Sequence, residues 1–415
     1  MRILLFTWGS MGDVVPFVAF SKKLQSAGFE VVLGAADIFS DFIKSHNIDY
    51  IKIGSSINKD KYNELMDKVL SEKNPRKQFK FLLKNALIND LEKQYEDCLD
   101  AIKQTDIVIC HWMQIAGLMA SEKLNKPVIT ITLNPIGVTN IFGAIEDRDH
   151  DLVLDGNKVW RLSVELSDLL WGDEIHAFRK FVNLKSVSSI SINQYSQKLN
   201  LVAVSPCLVQ EHECWPENHH AVGFWSLSDN TDWKPDDKIR DFLLRFKEPL
   251  LISFGSMAGN GVEAITVKLI NAIKTVGYPV IVQAGWGELG NVELPENVIK
   301  VGYISHDWLL PKVKCVIHHG GAGTTAAALR FGVPSIVVWH MFDQPYWGNL
   351  IDKGGLGTKP LAIHDLTTEN LVERINQVLG SDKYHNACAD MAVCLSAENG
   401  LDIAMRKVNE FISEL

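Results

Sequence analysis

The sequence has no hydrophobic run long enough to cross a bilayer, no excess of basic residues and no paired cysteine motif. No apolar stretch among its 415 residues approaches the roughly 18–20 residues that a transmembrane helix needs. The formal net charge of -9 argues against general binding of nucleic acid, which requires a basic surface. The seven cysteines include no C-x-x-C pair, so we expect free thiols in a reducing compartment rather than disulfides or a zinc site. Gly9 and Asp13 interrupt the first apolar run too early for a signal peptide, and we expect a cytoplasmic protein.

Length and composition indicate an ordinary globular protein with two domains. A chain of 415 residues is too long for one hydrophobic core and predicts two domains of roughly 200 residues each. Hydrophobic residues make up 47 % and charged residues 22 %, which are the proportions of a soluble globular protein. We therefore expect two separate cores.

The two halves of the sequence open in the same way. Residues 3–8 form an apolar run, a glycine turn and an amphipathic helix follow, and a second apolar run comes at 30–36. The second half restarts with an apolar run at 249–254 and another glycine turn that begins at Gly255. Strands that alternate with helices in this order predict a parallel, doubly wound α/β sheet in each half.

The predicted fold is therefore α/β, with two Rossmann-like domains that face each other across a cleft. Polar, turn-forming residues mark the boundary between the halves. We place an N-terminal acceptor-binding domain at 1–228, a linker at 229–246 and a C-terminal domain at 247–398. A last amphipathic helix at 399–415 lies past the second sheet and is a candidate for packing back on the N-terminal domain. Ligands of such sheets bind outside the carboxyl ends of the strands, where the glycine turns lie.

Residues 315–325, with the sequence CVIHHGGAGTT, carry the clearest functional signal. A buried strand is followed by His318 and His319, by three glycines within four residues and by a run of good helix formers. A helix start in this setting binds anions, because free main-chain N–H groups and the positive end of the helix dipole meet there. Glycines let a phosphate approach the main chain closely, and Thr324 adds a hydroxyl. The loop therefore predicts a phosphate or diphosphate site.

Four segments resemble the family 1 glycosyltransferases, in particular sterol 3-β-glucosyltransferases and bacterial glycosyltransferases that act on antibiotics and other natural products. The loop at 318–325, with Asp343 and Gln344 beyond it, resembles their donor-site signature. Residues 9–16 (GSMGDVVP), 253–257 (SFGSM) and 306–311 (HDWLLP) resemble their N-terminal motif, the opening of their second domain and their nucleotide loop. This resemblance implies the GT-B fold.

By this resemblance the protein moves a hexose, with glucose as the first candidate, from a UDP- or dTDP-sugar to a hydroxyl of a lipophilic small molecule such as a sterol, polyketide or flavonoid. It also implies an inverting transfer without a metal or other cofactor, so main-chain donors and a helix dipole must stabilise the leaving diphosphate. His319 and Ser256 are expected to bind the phosphates, and Asp343 with Gln344 the sugar hydroxyls. The expected donor-site residues are Ser10, Gly255, Ser256, Trp286, Tyr303, Ile304, His306, His319, Gly321, Ala322, Gly323, Thr324, Asp343 and Gln344.

The attacking hydroxyl needs a base within hydrogen-bond reach, because its pKa lies far above neutral pH. Asp13 follows the first strand and matches the position of the proposed catalytic base in the antibiotic and sterol group. His111, after the strand near 107–110, is the reserve candidate, and a role in holding or assisting Asp13 is an alternative for it. A second interpretation makes Asp13 the N-cap of a helix that begins at Val14, and Ser10 a turn former.

Two other functions remain open on the sequence. A nucleotide-sugar epimerase of the same shape would act on the donor without an acceptor, and a non-catalytic protein would bind the nucleotide sugar without turnover. No histidine spacing indicates a metal site. Basic and apolar residues are mixed at 73–84, which predicts either weak contact with an anionic membrane surface or a solvated helix over the acceptor pocket. We expect a monomer or weak dimer that binds no nucleic acid.

Overall fold

The computed structural model describes residues 1–72, 74–135, 146–147, 152–153, 156–211, 215–227, 234–254, 262–283, 294–302 and 304–415. The chain divides into two compact units. Unit 1 consists of Met1–Lys59, Lys80–Leu227 and Asn399–Leu415, and unit 2 consists of Asp60–Phe79 and Ser228–Glu398.

The strands form two parallel sheets and one short antiparallel hairpin. The strands of unit 1 are β1 (Arg2–Phe6), β2 (Glu30–Ala35), β3 (Asp49–Lys52), β4 (Ile107–His111), β5 (Val128–Thr132), β6 (Glu146–Asp147), β7 (Leu152–Val153), β8 (Asn200–Val202) and β9 (His219–Ala221). The strands of unit 2 are β10 (Leu250–Ser253), β11 (Val280–Gln283), β12 (Val298–Val301), β13 (Cys315–His318), β14 (Ser335–Trp339) and β15 (Leu361–Ala362).

Helices connect the strands, as parallel pairing requires. The first half of the chain contains α1 (Met11–Ser26), α2 (Ser40–Ser45), α3 (Lys59–Ser71), α4 (Pro75–Leu82), α5 (Leu91–Ile102), α6 (Ile115–Lys123), α7 (Gly156–Phe181) and α8 (Ile190–Asn193). The second half contains α9 (Asp237–Arg245), α10 (Val262–Val276), α11 (His306–Leu309), α12 (Ala322–Arg330), α13 (Gln344–Lys353), α14 (Thr368–Leu379), α15 (Lys383–Ser396) and α16 (Gly400–Ser413).

The sheet of unit 1 has the strand order β3-β2-β1-β4-β5-β8-β9, and its neighbours pair in parallel. Every residue of β4 is buried, and so are the last four residues of β1. Strands covered on both faces need continuous apolar runs, and the sequence supplies them. The doubly wound sheet predicted for the first half is thus present.

The last helix, α16, packs in unit 1. Its buried residues Ala404, Val408 and Phe411 belong to the same core as β1 and α1. Gly400 begins the helix against the main chain of Phe224, whose carbonyl oxygen would lie 2.7 Å from a Cβ at this position. Only a residue without a side chain allows this close approach.

The sheet of unit 2 has the order β12-β11-β10-β13-β14-β15, also with parallel pairs. Successive side chains of a strand point to opposite faces, and the core of unit 2 follows this rule. Ile252 and Ile317 lie in one buried cluster with α10 and α14. Leu251 and Val316 lie in another with α9 and α12. The apolar residues therefore form one layer on each face of the sheet.

Two boundaries differ from the prediction. The region predicted as a linker contains α9, whose Ile239 and Phe242 are buried in the core of unit 2. Asp60–Phe79 groups with unit 2, although it lies inside the predicted N-terminal domain, and the ring of Phe79 packs edge-on to Phe342 with 6.3 Å between centroids. The predicted linker is polar enough to be interpreted as a connection, and tertiary packing decides the place of both segments.

The six cysteines in the described part of the chain divide into two classes, and Cys214 lies outside it. Cys98, Cys110, Cys315 and Cys388 are free and buried, and burial raises the pKa of each thiol. The expectation of free thiols is wrong for Cys207 and Cys394, which are disulfide-bonded. A disulfide depends on proximity in the folded chain, which the spacing of cysteines along the sequence does not reveal.

No described helix combines the length and the apolar composition that a bilayer crossing needs.

Candidate active site

In unit 1, the order of the strands reverses between β1 and β4. β1 pairs with β2 on one side and with β4 on the other, and Phe6 lies opposite Cys110. Ligands of doubly wound sheets bind outside the carboxyl ends of the strands at such a reversal. Ser10 and Asp13 follow β1, and β4 ends at His111. The structure therefore brings three residues of the predicted site to one edge of this sheet.

The carboxylate of Asp13 is held by the main chain and side chain of Ser10. Asp13 Oδ2 accepts hydrogen bonds from Ser10 N–H at 2.7 Å and from Ser10 Oγ at 3.2 Å. Ser10 Oγ also accepts a hydrogen bond from Gly12 N–H at 3.2 Å. These contacts form a capping box at the start of α1. The N-cap is thus Ser10, and the interpretation of Asp13 as the N-cap of a helix from Val14 is wrong.

Gly9 brings the main chain against this carboxylate. Its φ of +123° lies in a region that side-chain-bearing residues rarely adopt. A Cβ at Gly9 would also lie 2.7 Å from Asp13 Cγ. The turn after β1 therefore requires glycine for both reasons, and any other residue would displace Asp13.

His111 is a buried and neutral imidazole beside Asp13. Burial lowers its pKa to about 3. Nδ1 accepts a hydrogen bond from Met113 N–H at 3.3 Å, so we assign the ring proton to Nε2. Nε2 lies 3.8 Å from Asp13 Oδ1 and has no hydrogen-bond partner among the described residues. This distance is too long for a hydrogen bond. The neutral N–H group at Nε2 nevertheless lies beside the carboxylate of Asp13.

Unit 2 has the same kind of reversal between β10 and β13, where Ser253 lies opposite His318. The loop that leaves β13 turns at Gly320, whose φ is +85°. A Cβ there would lie 2.7 Å from Val337 Cγ1 and 3.0 Å from the carbonyl oxygen of Gln344. Glycine at this position therefore lets the loop pack directly against the start of α13.

The helix after this loop, α12, starts without a side-chain cap. Gly321 is the N-cap, and the first helical hydrogen bond runs from Thr325 N–H to Gly321 O at 3.0 Å. The N–H groups of Ala322, Gly323 and Thr324 therefore have no acceptor within the helix. Gly323 is exposed, and a Cβ there would meet no atom within 4 Å. Open space in front of these N–H groups, at the positive end of the helix dipole, suits an anion.

The histidines next to the loop are neutral. Burial lowers the pKa of His319 to about 4 and the pKa of His318 and of His340 to about 3. His318 Nδ1 accepts a hydrogen bond from Gly320 N–H at 3.2 Å. His111 makes the same kind of contact, because its Nδ1 also accepts from the N–H two residues later in the sequence. The fourth strand of each sheet thus ends in a histidine of the same orientation. His319 is therefore neutral at pH 7 when no anion is bound.

Asp343 and Gln344 stand at the start of α13. Gln344 Oε1 accepts hydrogen bonds from the N–H groups of His340 at 2.7 Å and Met341 at 3.0 Å, so only its amide nitrogen remains for a ligand. Asp343 Oδ2 accepts a hydrogen bond from Trp347 Nε1 at 2.8 Å. Burial raises the pKa of Asp343.

Phe342, directly before these residues, has a φ of +55°. This left-handed conformation is an outlier for a bulky side chain, and such strain is concentrated at functional sites. The strained turn therefore lies directly before the two residues that were predicted to bind the sugar.

Two successive hydrogen bonds connect the carboxyl ends of β10 and β11 to the loop at Ile304. Ser253 Oγ donates to Gln283 Oε1 at 3.1 Å, and Gln283 Nε2 donates to Ile304 O at 3.4 Å. Ile304 itself is buried, and His306 begins α11 two residues later. Neither Ser253 nor Gln283 is among the donor-site residues predicted from the sequence. The signal that could have found them is that each is the polar last residue of a buried strand.

Four of the predicted donor-site residues lie in segments that the structure does not describe. Gly255, Ser256, Trp286 and Tyr303 lie outside the described residues, as does Lys73 of the basic segment. Within that segment, Lys77, Lys80 and Lys84 are exposed, whereas Leu83 is buried. Both interpretations of this segment stay predictions.

Within the described ranges, no group of three or more His, Cys, Asp or Glu side chains is placed to hold a metal ion. Transfer without a metal stays a prediction.

Two family models match the chain. The N-terminal domain of glycosyltransferase family 28 matches residues 3–141, and the C-terminal domain described as erythromycin biosynthesis protein CIII-like matches residues 268–404. Over these two stretches the chain is similar to glycosyltransferases. The two matches include Asp13 with the capping box and the whole loop from β13 to α12.

The relatives of this chain include proteins named as sterol and macrolide glycosyltransferases. A sterol 3-beta-glucosyltransferase from Arabidopsis thaliana is 28 % identical over 98 % of the chain and 65 % of its own length. A sterol 3-beta-glucosyltransferase from Saccharomyces cerevisiae is 24 % identical over 97 % of the chain and 34 % of its own length. The O-mycaminosyltylonolide 6-deoxyallosyltransferase of Streptomyces fradiae is 25 % identical over 99 % of the chain and 97 % of its own length. The chain thus spans just under two thirds of the plant relative and about a third of the yeast relative.

Solved structures show the fold of this chain. The glycosyltransferase of kitacinnamycin superposes with a TM-score of 0.73 at 15 % identity and covers 99 % of this chain and 98 % of its own. The glycosyltransferase VinC, solved in complex with dTDP, superposes with a TM-score of 0.70 at 17 % identity and covers 99 % of each chain. The predicted GT-B fold is confirmed.

Proposed function

We propose that this glycosyltransferase transfers a hexose, with glucose as the first candidate, from a UDP- or dTDP-sugar to a hydroxyl group of a lipophilic small molecule. The observation that carries the proposal is the uncapped start of α12 after the turn at Gly320. The names of the relatives, which act on sterols and on a mycaminosyltylonolide, support a lipophilic acceptor. We further propose that the transfer inverts the anomeric carbon and uses no metal ion.

Unit 2 holds the donor in this proposal. The N–H groups of Ala322, Gly323 and Thr324 bind the diphosphate, and His319 donates a hydrogen bond to it. These donors are fixed before the reaction and need no reorganisation as charge develops on the leaving group. The amide nitrogen of Gln344 donates to a sugar hydroxyl, while the carboxylate of Asp343 accepts from one. The loop at Ile304 and His306 receives the base.

Asp13 is the general base in this proposal. Its carboxylate takes the proton of the acceptor hydroxyl as the oxygen forms a bond to the anomeric carbon. The bond from that carbon to the diphosphate oxygen breaks, and the electron pair leaves with the nucleoside diphosphate. A positioned carboxylate contributes about 10²- to 10⁴-fold to such a rate.

His111 orients Asp13 in this proposal. Its Nδ1 is occupied by Met113 N–H, so the ring can only donate through Nε2, 3.8 Å from Asp13 Oδ1. Burial keeps the imidazole neutral, because it lowers the pKa to about 3. We therefore treat His111 as a positioning residue rather than as a second base.

Mass spectrometry of the products tests the proposal. UDP-glucose, dTDP-glucose and other donors are crossed with a mixed library of sterols, macrolactones and flavonoids. A product heavier than its aglycone by one hexose, formed only with donor and enzyme, supports the proposal. A changed sugar nucleotide without any aglycone would instead support an epimerase. Tight binding of donor with no turnover over the whole library would support a non-catalytic binding protein.

Three further points stay predictions. Four buried free thiols fit a cytoplasmic location, whereas the disulfide-bonded Cys207 and Cys394 count against it. Gel filtration with light scattering tests the expected monomer or weak dimer. Sedimentation with anionic liposomes tests the basic segment, and equal binding by Lys77→Glu and Lys80→Glu variants would rule out contact through these lysines.

A further inference from the structure

The sheet edge that carries the donor site of unit 2 is rich in histidine and has no lysine or arginine in its loops. In the sequence, the segments that follow β10 to β14 up to the next helix or strand contain neither residue; they are 254–261, 284–297, 302–305, 319–321 and 340–343. They do contain His319 and His340, and His318 and His306 flank them. A nucleoside diphosphate sugar carries two negative charges. The groups here that can become cationic are imidazoles.

His319 is the imidazole nearest to the helix start. A Cβ at Gly321, the N-cap of α12, would lie 3.2 Å from both Cδ2 and Cε1 of the His319 ring. The ring therefore lies against the residue that precedes the unbonded N–H groups of α12. Its Nδ1 has no hydrogen-bond partner among the described residues. An anion bound at the helix start would contact the imidazole as well.

Among the described residues, no lysine or arginine affects the pKa of His318, His319 or His340. His319 and His306 each lower the pKa of His318 by charge, and His319 and His364 do the same to His340. Asp343, on the loop that follows β14, has its own pKa raised by burial. Burial also lowers the pKa of His319 to about 4, against a smaller opposing effect of a hydrogen bond with the Ser253 main chain. The ring is therefore neutral at pH 7 while the site holds no anion.

We propose that binding of a nucleoside diphosphate sugar to unit 2 is coupled to the uptake of one proton by His319. This inference rests on the proposed function, because it takes the start of α12 as the diphosphate site. A nearby negative charge favours the protonated imidazole and offsets the effect of burial. The proton comes from solvent, and the imidazolium supplies charge that no lysine or arginine of these loops supplies.

Coupling of this kind makes donor affinity depend on pH. The pKa of His319 is about 4 in the free chain and higher in the complex. At pH values between these two pKa values, the complex holds one more proton than the free protein. Within that window the dissociation constant falls as pH falls, by at most about tenfold for each pH unit. Above the window it is constant.

Isothermal titration calorimetry with UDP-glucose and dTDP-glucose tests the inference. A nucleotide sugar is the right probe because its diphosphate does not titrate near neutral pH, unlike the terminal phosphate of UDP. Titrations at one pH in buffers of different ionisation enthalpy count the protons taken up, and a chelator keeps divalent cations out. We expect uptake of about half a proton to one proton near pH 6.5, and a dissociation constant about tenfold or more lower at pH 5.5 than at pH 8.

Two variants complete the test. His319→Gln keeps a hydrogen-bond donor but cannot titrate, so its affinity should be weaker and independent of pH. His46→Gln, at the end of α2 in unit 1, should behave as the unchanged protein does. Binding by the unchanged protein without proton uptake, or an equal pH dependence in His319→Gln, would overturn this inference alone. Absence of binding by either nucleotide sugar at any pH would instead contradict the proposed donor site.

Discussion

Replacing Asp13 by asparagine separates the cap that this side chain forms at the start of α1 from its proposed role as general base. Asparagine keeps an oxygen that can accept the hydrogen bond from Ser10 N–H, now 2.7 Å long, so the helix keeps most of its cap. It loses the negative charge near the helix start, which is worth about 0.3–1 kcal/mol. It also loses the proton acceptor. We expect a free energy of unfolding within about 1 kcal/mol of the original and a transfer rate lower by about 10²- to 10⁴-fold, or about 3–5 kcal/mol in activation free energy.

Ser10→Ala is the matched control. It removes the hydroxyl that accepts from Gly12 N–H and donates to Asp13, which should destabilise the protein by about 1 kcal/mol. The carboxylate stays, and the main-chain N–H of residue 10 still holds it. The transfer rate of this variant should therefore stay within about tenfold of the original, because the base is intact.

Two measurements on the same protein samples decide the matter. Urea unfolding gives the free energy of unfolding, and initial rates at saturating donor and acceptor give the transfer rate. A transfer rate of Asp13→Asn above a tenth of the original would refute Asp13 as the base. An equal loss of rate in Ser10→Ala would show that Asp13 acts only through the shape of the helix start.

Gly320→Ala should destabilise unit 2 by roughly 2–4 kcal/mol, because φ is +85° and the new Cβ would lie 2.7 Å from Val337 Cγ1. Gly28→Ala is its control in urea unfolding, since φ is +89° with no atom within 4 Å, and equal losses would refute the packing argument. Lowering the pH from 7 to 5 should destabilise the protein by about 2 kcal/mol for each of His111, His318 and His340. Their pKa is about 3 when folded and 6.5 when unfolded, so the unfolded chain binds more protons. An unchanged free energy of unfolding at pH 5 would contradict this.

The sequence was sufficient for the parts of the molecule that have short-range signals. Buried parallel strands leave continuous apolar runs, and the glycines after β1 and β13 mark the turns where the site residues stand. The sequence alone therefore places the loop from His319 to Thr324 at a helix start.

The parts that sequence reasoning missed depend on contacts between distant residues. Whether Ser10 or Asp13 caps α1 is decided by the direction of two side chains, and both residue types are good caps. His111 and His318 occupy equivalent positions because each ends the fourth strand of its sheet. The strand order in unit 1 brings His111 Nε2 to within 3.8 Å of Asp13 Oδ1. The membership of Asp60–Phe79 in unit 2 also follows from packing. No local pattern records any of these.

The central claim is that main-chain N–H groups at the start of α12 bind the donor diphosphate, and Gly323→Ala tests it most directly. Alanine suits a helix better than glycine by up to about 1 kcal/mol, and the new methyl would meet no protein atom within 4 Å. The variant should therefore fold at least as stably as the original. We predict that calorimetric titration with UDP-glucose will show affinity reduced by about tenfold or more, because the methyl occupies the space of the anion. A dissociation constant within twofold of the original would contradict the claim.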